Sequence, residues 1–187
     1  VNDLSVLGAF DPAKIWLLLL HYPPVPPNSP LDLYGSAPHT DFGALTLLVQ
    51  DDVGGLQVQT PDGLWFNAPK VEDIFAVNIG DMLHRITNGL LKSTPHPVIN
   101  RSGKERYSCP FFFDPHVSFT IVPLPETGDP NFEPLNFGVF LKHKLGSAYK
   151  QRNRDVLRKV RTQPQKKYRL KCLLLPLICP VCANQNR

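Results

Sequence analysis

Short apolar runs, broken every few residues by turn-forming residues, fill most of this chain. The runs that predict strands are Ile15–Tyr22, Leu45–Gln50, Leu56–Gln59, Leu64–Asn67, Phe75–Ile79, Pro97–Asn100, Arg106–Phe113 and Ser118–Val122. Each is short, rich in β-branched or aromatic residues, and bounded by Gly, Pro, Asn or Asp. Turn signals stand between them: Val53-Gly54-Gly55, Pro61-Asp62-Gly63, Gly80-Asp81, Asn88-Gly89 and Ser102-Gly103. The proline-laden segment Pro23–Pro30 lacks the N–H groups of a central strand and predicts a loop. Eight short strands at this spacing predict a mainly β fold, either a double-sheet jelly roll or a small barrel.

After Pro134 the period changes. Phe137, Leu141, Leu145, Ala148 and Tyr149 recur at helical spacing, which predicts a C-terminal helix packed against the sheets. Three segments follow from this reading. Residues 13–116 are expected to form the β-rich core, 117–149 a final strand and the packing helix, and 150–187 a basic tail expected to be poorly ordered.

A length of 187 residues accommodates one domain with a single core. The net charge of +4 hides a split. Residues 1–141 hold 7 Lys+Arg against 15 Asp+Glu, or −8, and residues 142–187 hold 13 against 1, or +12. A basic tail can bind nucleic acid or anionic lipid. Too few aromatic residues interleave with these charges to make a stacking platform, so nucleic acid is not an expected partner. Cys109, Cys172, Cys179 and Cys182 do not form a disulfide framework for the main body, which points to a reducing, cytoplasmic setting. Cys179 and Cys182 have zinc-like spacing, but no nearby histidine supports a site. The apolar run Trp16–Leu20 is far too short to span a bilayer, no secretory signal is visible, and no membrane partner is expected. A first residue of Val rather than Met suggests that an N-terminal portion is missing.

The candidate chemistry starts at His39-Thr40-Asp41. Extended backbone would turn His39 and Asp41 the same way, since positions i and i+2 share a face. His96, 55 residues after Asp41, enters another predicted strand and supplies a third ligand type. Two imidazoles and a carboxylate can occupy one face of an iron ion and leave the opposite positions open. A zinc hydrolase remains open on ligand type alone. An anion site favours iron: Arg106 and Ser108 share a strand face, and a guanidinium grips a carboxylate through parallel hydrogen bonds. A hairpin about Ser102 would set Ser108 opposite His96 and Arg106 opposite Val98, on the metal's side of the sheet. Such a site would hold the far carboxylate of a 2-oxo diacid whose other end chelates the metal.

On these residues the chain resembles the 2-oxoglutarate- and Fe(II)-dependent oxygenases of the isopenicillin N synthase-like group. The pattern His-x-Asp, a gap near 55 residues, His, a gap near ten, then Arg-x-Ser reads here as His39-Thr40-Asp41, His96 and Arg106-Tyr107-Ser108. Further matches are His21-Tyr22-Pro23-Pro24, Gly54-Gly55-Leu56-Gln57-Val58, Val77-Asn78-Ile79-Gly80-Asp81, Ile86-Thr87-Asn88-Gly89 and the run Arg106 to Pro115. The resemblance covers roughly residues 13–149.

The resemblance implies a double-stranded β-helix with a C-terminal packing helix. It implies His39, Asp41 and His96 as iron ligands, Arg106 and Ser108 as a carboxylate clamp, and Tyr22 as an assisting hydroxyl. It also implies Fe(II), 2-oxoglutarate as co-substrate, dioxygen, ascorbate as an accessory reductant, and oxidation of a C–H bond in a small organic substrate with release of succinate and carbon dioxide. His21, His84, His116 and His143 match no ligand position. Two departures stand out. The ligand histidine is followed by Pro97, where the group commonly has Arg, and proline lacks the ladder N–H, which predicts a disturbed register beside His96. The group's N-terminal part is almost entirely missing. Three alternatives therefore stay open: an Fe(II) oxidase of the same group that does not use 2-oxoglutarate, a truncated, non-catalytic metal-binding fragment, and a cation-dependent module whose tail contacts nucleic acid.

Overall fold

The computed structural model describes residues 8–147. The predicted tail, its three cysteines, and Ala148 and Tyr149 lie outside the described residues. The elements run β1 (Lys14–Leu17), β2 (Leu20–Tyr22), β3 (Ser36–His39), β4 (Leu45–Gln50), β5 (Gln57–Gln59), β6 (Trp65–Asn67), β7 (Ala76–Ile79), α1 (Asp81–Ile86), β8 (His96–Val98), β9 (Arg106–Asp114), β10 (Thr120–Ile121) and β11 (Leu135–Asn136). A helix, α2, follows over residues 137–147.

The strands form a double-stranded β-helix. The major sheet has the order β1-β9-β4-β7, with β2 continuing β1 along β9. Opposing it is a minor layer. There β3 pairs with β8, a bridge between Leu56 and Val98 joins β8 to the β5 side, and β5 pairs with β6. Backbone bonds Ile99 N–H to Gly55 O (2.8 Å) and Gln59 N–H to Pro95 O (2.9 Å) complete that join.

One predicted strand is split by chemistry rather than by a turn. Ile15–Tyr22 becomes β1 and β2, yet the register along β9 is continuous, from Leu17 opposite Phe111 to Leu20 opposite Ser108. Between these pairs Pro110 accepts from Leu18 N–H (3.1 Å) but has no N–H to return. The ladder is interrupted while the chain keeps its course.

Burial along β9 reverses the usual rule for a sheet. Arg106 and Ser108 are buried, whereas Tyr107 between them is exposed. On β4 the buried residues are the polar Thr46 and Gln50, and Val49 is exposed. Ile15, Leu17 and Val77 also face outward. The major sheet thus turns its polar positions toward the minor sheet. The most apolar packing lies elsewhere, where Met82 and Ile86 of α1 meet Ile121 of β10 and Phe137 of α2. Leu141 packs on that cluster, but Leu145, placed on the same stripe by the sequence, is exposed.

Strand β8 does not form the hairpin with β9 that the sequence suggested. Ser36 opposes Val98 and His39 opposes His96, with a register shift between them, as the proline after His96 predicted. Pro38 and Pro97 lie within the shifted stretch and both lack the N–H that would hold a regular ladder. The segment around Ser102 carries the chain from the minor to the major sheet instead of folding it back. Asn100, 2% exposed, anchors that crossing. Its Nδ2 donates to the carbonyls of Tyr22 (2.9 Å) and Lys104 (2.8 Å), and its Oδ1 accepts from Ser102 Oγ (2.7 Å). Arg106 consequently lies opposite Tyr22, not Val98, and Ser108 opposite Leu20 and Gln50, not His96.

Candidate metal and carboxylate site

His39 ends β3, and His96 begins β8 directly opposite it. Asp41 lies two residues on, where the chain leaves the minor sheet for β4. These three offer ligand atoms within 4.8 Å of one another. His96 Nε2 stands 3.6 Å from Asp41 Oδ1, and His39 Nε2 stands 3.9 Å from the same oxygen. Ligands about 2.1 Å from an ion and at right angles are about 3.0 Å apart, so a small closure would seat a cation.

The remaining atoms of each ligand are already occupied. His39 Nδ1 bonds to the Ala37 carbonyl (2.7 Å) and His96 Nδ1 to the Thr94 carbonyl (3.0 Å). A carbonyl only accepts, so each Nδ1 carries the hydrogen and each Nε2 presents a lone pair. Burial, aided by the neighbouring His96, lowers the pKa of His39, which favours the neutral, ligating imidazole. Asp41 Oδ2 accepts from Thr46 Oγ (2.6 Å) and from Asn78 Nδ2 (2.8 Å). Only Oδ1 faces the histidines.

The loop carrying Asp41 is fixed by the turn between β7 and α1. Asp81 N–H donates to Asp41 O (2.8 Å) and Met82 N–H to Gly43 O (2.8 Å). Gly80 permits that approach, because a Cβ there would fall 2.3 Å from Gly43 O. On the other side, a Cβ on Gly43 would fall 1.4 Å from Asp114 Oδ1. Asp114 is buried, and that oxygen has no hydrogen-bond partner. Burial, with a smaller contribution from the charge of Asp41, pushes its carboxyl up to about 6, and the Ala44 N–H opposes the shift.

The second cluster lies further along the same inner face. Arg106 is 0% exposed. Its Nε donates to Gly54 O (2.5 Å), Nη1 to Ser108 Oγ (3.2 Å) and Nη2 to Gln50 Oε1 (3.2 Å). The guanidinium also lies against the Tyr22 ring, 4.9 Å from its centroid, and burial of Tyr22 places its hydroxyl in the electrostatic reach of Arg106 and Ser108. Three of five N–H groups are used by these neutral oxygens, leaving one on each terminal nitrogen. Among the described residues no carboxylate reaches Arg106 at ion-pairing distance. Burial lowers the Arg106 pKa and raises that of Tyr22, yet a guanidinium stays charged at neutral pH. A buried cation with spare donors and no counter-ion is built for an incoming anion.

All six residues singled out from the sequence thus fall into two clusters: His39, Asp41 and His96, and Arg106, Ser108 and Tyr22. The sequence reading gave no role to Thr46, Asn78, Gln50 or the Gly54 carbonyl. Thr46 and Gln50 carried a signal, as polar residues on the inward phase of the apolar run LTLLVQ.

A His₂-carboxylate ligand set beside a buried guanidinium, inside a double-stranded β-helix, defines a non-haem metal oxygenase type of site. The chain belongs to the 2OG-Fe(II) oxygenase superfamily, whose family model matches residues 15–115. It is 48% identical over 115 residues to the 2-oxoglutarate-dependent dioxygenase citB of Monascus ruber, covering 60% of this chain and 35% of that protein. It is 37% identical over 155 residues to a soybean (Glycine max) homoarginine-6-hydroxylase, 77% of this chain and 46% of that protein. Among solved structures, a full-length Neurospora crassa protein in complex with alpha-KG and thymine superposes with a TM-score of 0.70 at 34% identity, over 79% of this chain and 48% of that one. The chain therefore spans about a third to a half of the length of these relatives. Among the described residues no helix is long and apolar enough to cross a membrane.

Proposed function

We propose that this chain carries the metal and co-substrate centre of an Fe(II)- and 2-oxoglutarate-dependent oxygenase that oxidises a C–H bond of a small organic substrate. His39, Asp41 and His96 would hold Fe(II), and Arg106, Ser108 and Tyr22 would hold the far carboxylate of 2-oxoglutarate. The observation that carries the reading is the fully buried Arg106, with unused donors and no carboxylate partner among the described residues, on the same inner face as the ligand cluster. Ligand type alone would also suit zinc, and the family match is what turns the choice to Fe(II) and an oxo diacid. The relatives named as 2-oxoglutarate-dependent support the choice of diacid.

Iron, when bound with 2-oxoglutarate and dioxygen, supplies the oxidising chemistry, and the oxo acid leaves as succinate and carbon dioxide. The residues of this chain bind and orient. The Nδ1 tethers fix both imidazole rings so that metal entry requires no tautomer change. Arg106 supplies charge-assisted hydrogen bonds in a low-dielectric setting, where they are stronger than in water. Gln50 and Gly54 hold the guanidinium plane, so its orientation is set before the diacid arrives. Tyr22 and Ser108 both carry a hydroxyl beside Arg106, and a carboxylate among them would accept from both. A cytoplasmic setting belongs to the same reading.

The test is product stoichiometry. Supplied with Fe(II), 2-oxoglutarate and air, the protein should release succinate and carbon dioxide in equal amounts, and chelator should stop both. Oxygen uptake without succinate would move the protein to the oxidases that do not use 2-oxoglutarate.

A further inference from the structure

Asp41 has two oxygens and the site uses them differently. Thr46 on β4 and Asn78 on β7 are direct cross-strand partners. Both donate to the same atom, Asp41 Oδ2, at 2.6 Å and 2.8 Å. A carboxylate oxygen offers two in-plane lone pairs, so these two donors saturate Oδ2. Thr46 and Asp41 are 6% and 7% exposed, so water does not readily replace either bond. The other oxygen, Oδ1, is the one facing His39 Nε2 and His96 Nε2.

We infer that Thr46 and Asn78 act together as positioning residues that restrict Asp41 to ligation through one oxygen. The inference rests on the metal reading above and extends it. With one oxygen from Asp41, the protein fills three positions of an octahedral ion. A 2-oxo acid bound through two atoms then leaves one position free. An Asp41 bound through both oxygens would fill a fourth position and remove it. The Thr46–Asn78 pair therefore sets the number of open positions, although neither residue touches the metal. The pair is on the rigid part of the scaffold, in the middle of a four-residue antiparallel pairing from Leu45–Ile79 to Leu48–Ala76. Asp41 itself sits in a loop and needs this support.

The test uses Co(II) alone as the probe, titrated into the full chain against a competing chelator and followed by its ligand-field absorption. Thr46→Val and Asn78→Leu remove one donor each at nearly constant shape. Each should bind Co(II) about 10–100-fold more weakly, the range found for lost outer-sphere partners. Each should also shift the ligand-field bands, which report coordination number. Thr46→Ser keeps the hydroxyl and should restore wild-type affinity and bands. Wild-type affinity and spectrum in both Thr46→Val and Asn78→Leu, with unchanged circular dichroism, would overturn the inference while leaving the metal site intact. Should one variant fail to fold, the other decides. No Co(II) binding by the wild-type chain would instead overturn the metal reading itself.

Discussion

Asp114→Asn should make the protein more stable at neutral pH and flatten its pH dependence. The wild-type carboxyl is buried against Gly43 with one oxygen unpartnered, and its pKa rises from 3.8 to about 6. A raised folded-state value means that the folded protein holds this proton more tightly than the unfolded chain does. Between pH 4 and 6 folding therefore binds a proton, and stability falls as pH rises through that window. Below the unfolded value the penalty is absent, and above the folded value it is complete. Two units at about 1.4 kcal/mol each give a penalty of about 3 kcal/mol at pH 7. Asparagine is neutral throughout and nearly the same shape. The assay is urea denaturation of both proteins, in chelator, at half-unit steps from pH 4 to 7.5. Other carboxylates titrate in both proteins and cancel in the difference. That difference should favour the variant increasingly from pH 4 to 6 and then level off. A difference that stays flat, or that favours wild type as pH rises, would refute the burial argument.

Other outcomes follow from the same geometry. Gly80→Ala drives a Cβ to 2.3 Å from Gly43 O, so it should lower stability by about 1–3 kcal/mol in chemical denaturation and weaken metal binding by displacing the Asp41 loop. Arg106→Ala should raise the concentration of 2-oxoglutarate needed for half-maximal turnover at least tenfold, and Arg106→Lys should recover only part of this, because an ammonium cannot reproduce the planar fork. A normal co-substrate dependence in Arg106→Ala would remove the clamp from the account. Gln50→Leu leaves the guanidinium charged but loosens its plane, and should raise the same concentration by less than Arg106→Ala does. Equal effects in the two variants would argue against a purely orienting role for Gln50.

Much of this architecture can be read from the chain because local spacing and tertiary placement agree. LTLLVQ is a strand at the predicted bounds, and His39 and Asp41 converge as an i, i+2 pair does in extended chain. Gly54–Gly55, legible as a turn and as a similarity, proves also to deliver a carbonyl to Arg106. What could not be read depends on partners distant in sequence. β3 is the four residues Ser-Ala-Pro-His, with no apolar alternation to mark it, and it exists because β8 lies beside it. α1 spans six residues, fewer than two helical turns and too few for a repeating pattern, and Met82 and Ile86 mark its face only once Phe137 is placed. The hairpin between β8 and β9 failed because local turn signals at Ser102-Gly103 do not say which sheet the chain enters next. That choice is made by Asn100 and its bond to Tyr22, 78 residues away.

The most direct test of the account is an anaerobic titration of the protein with Fe(II) and then 2-oxoglutarate, followed by visible absorption. A weak charge-transfer band should develop only when both are present, saturate at one iron per chain, vanish in His96→Ala, and require much more 2-oxoglutarate in Arg106→Ala. Tight iron binding with no band at saturating 2-oxoglutarate, or an undiminished band in His96→Ala, would contradict it.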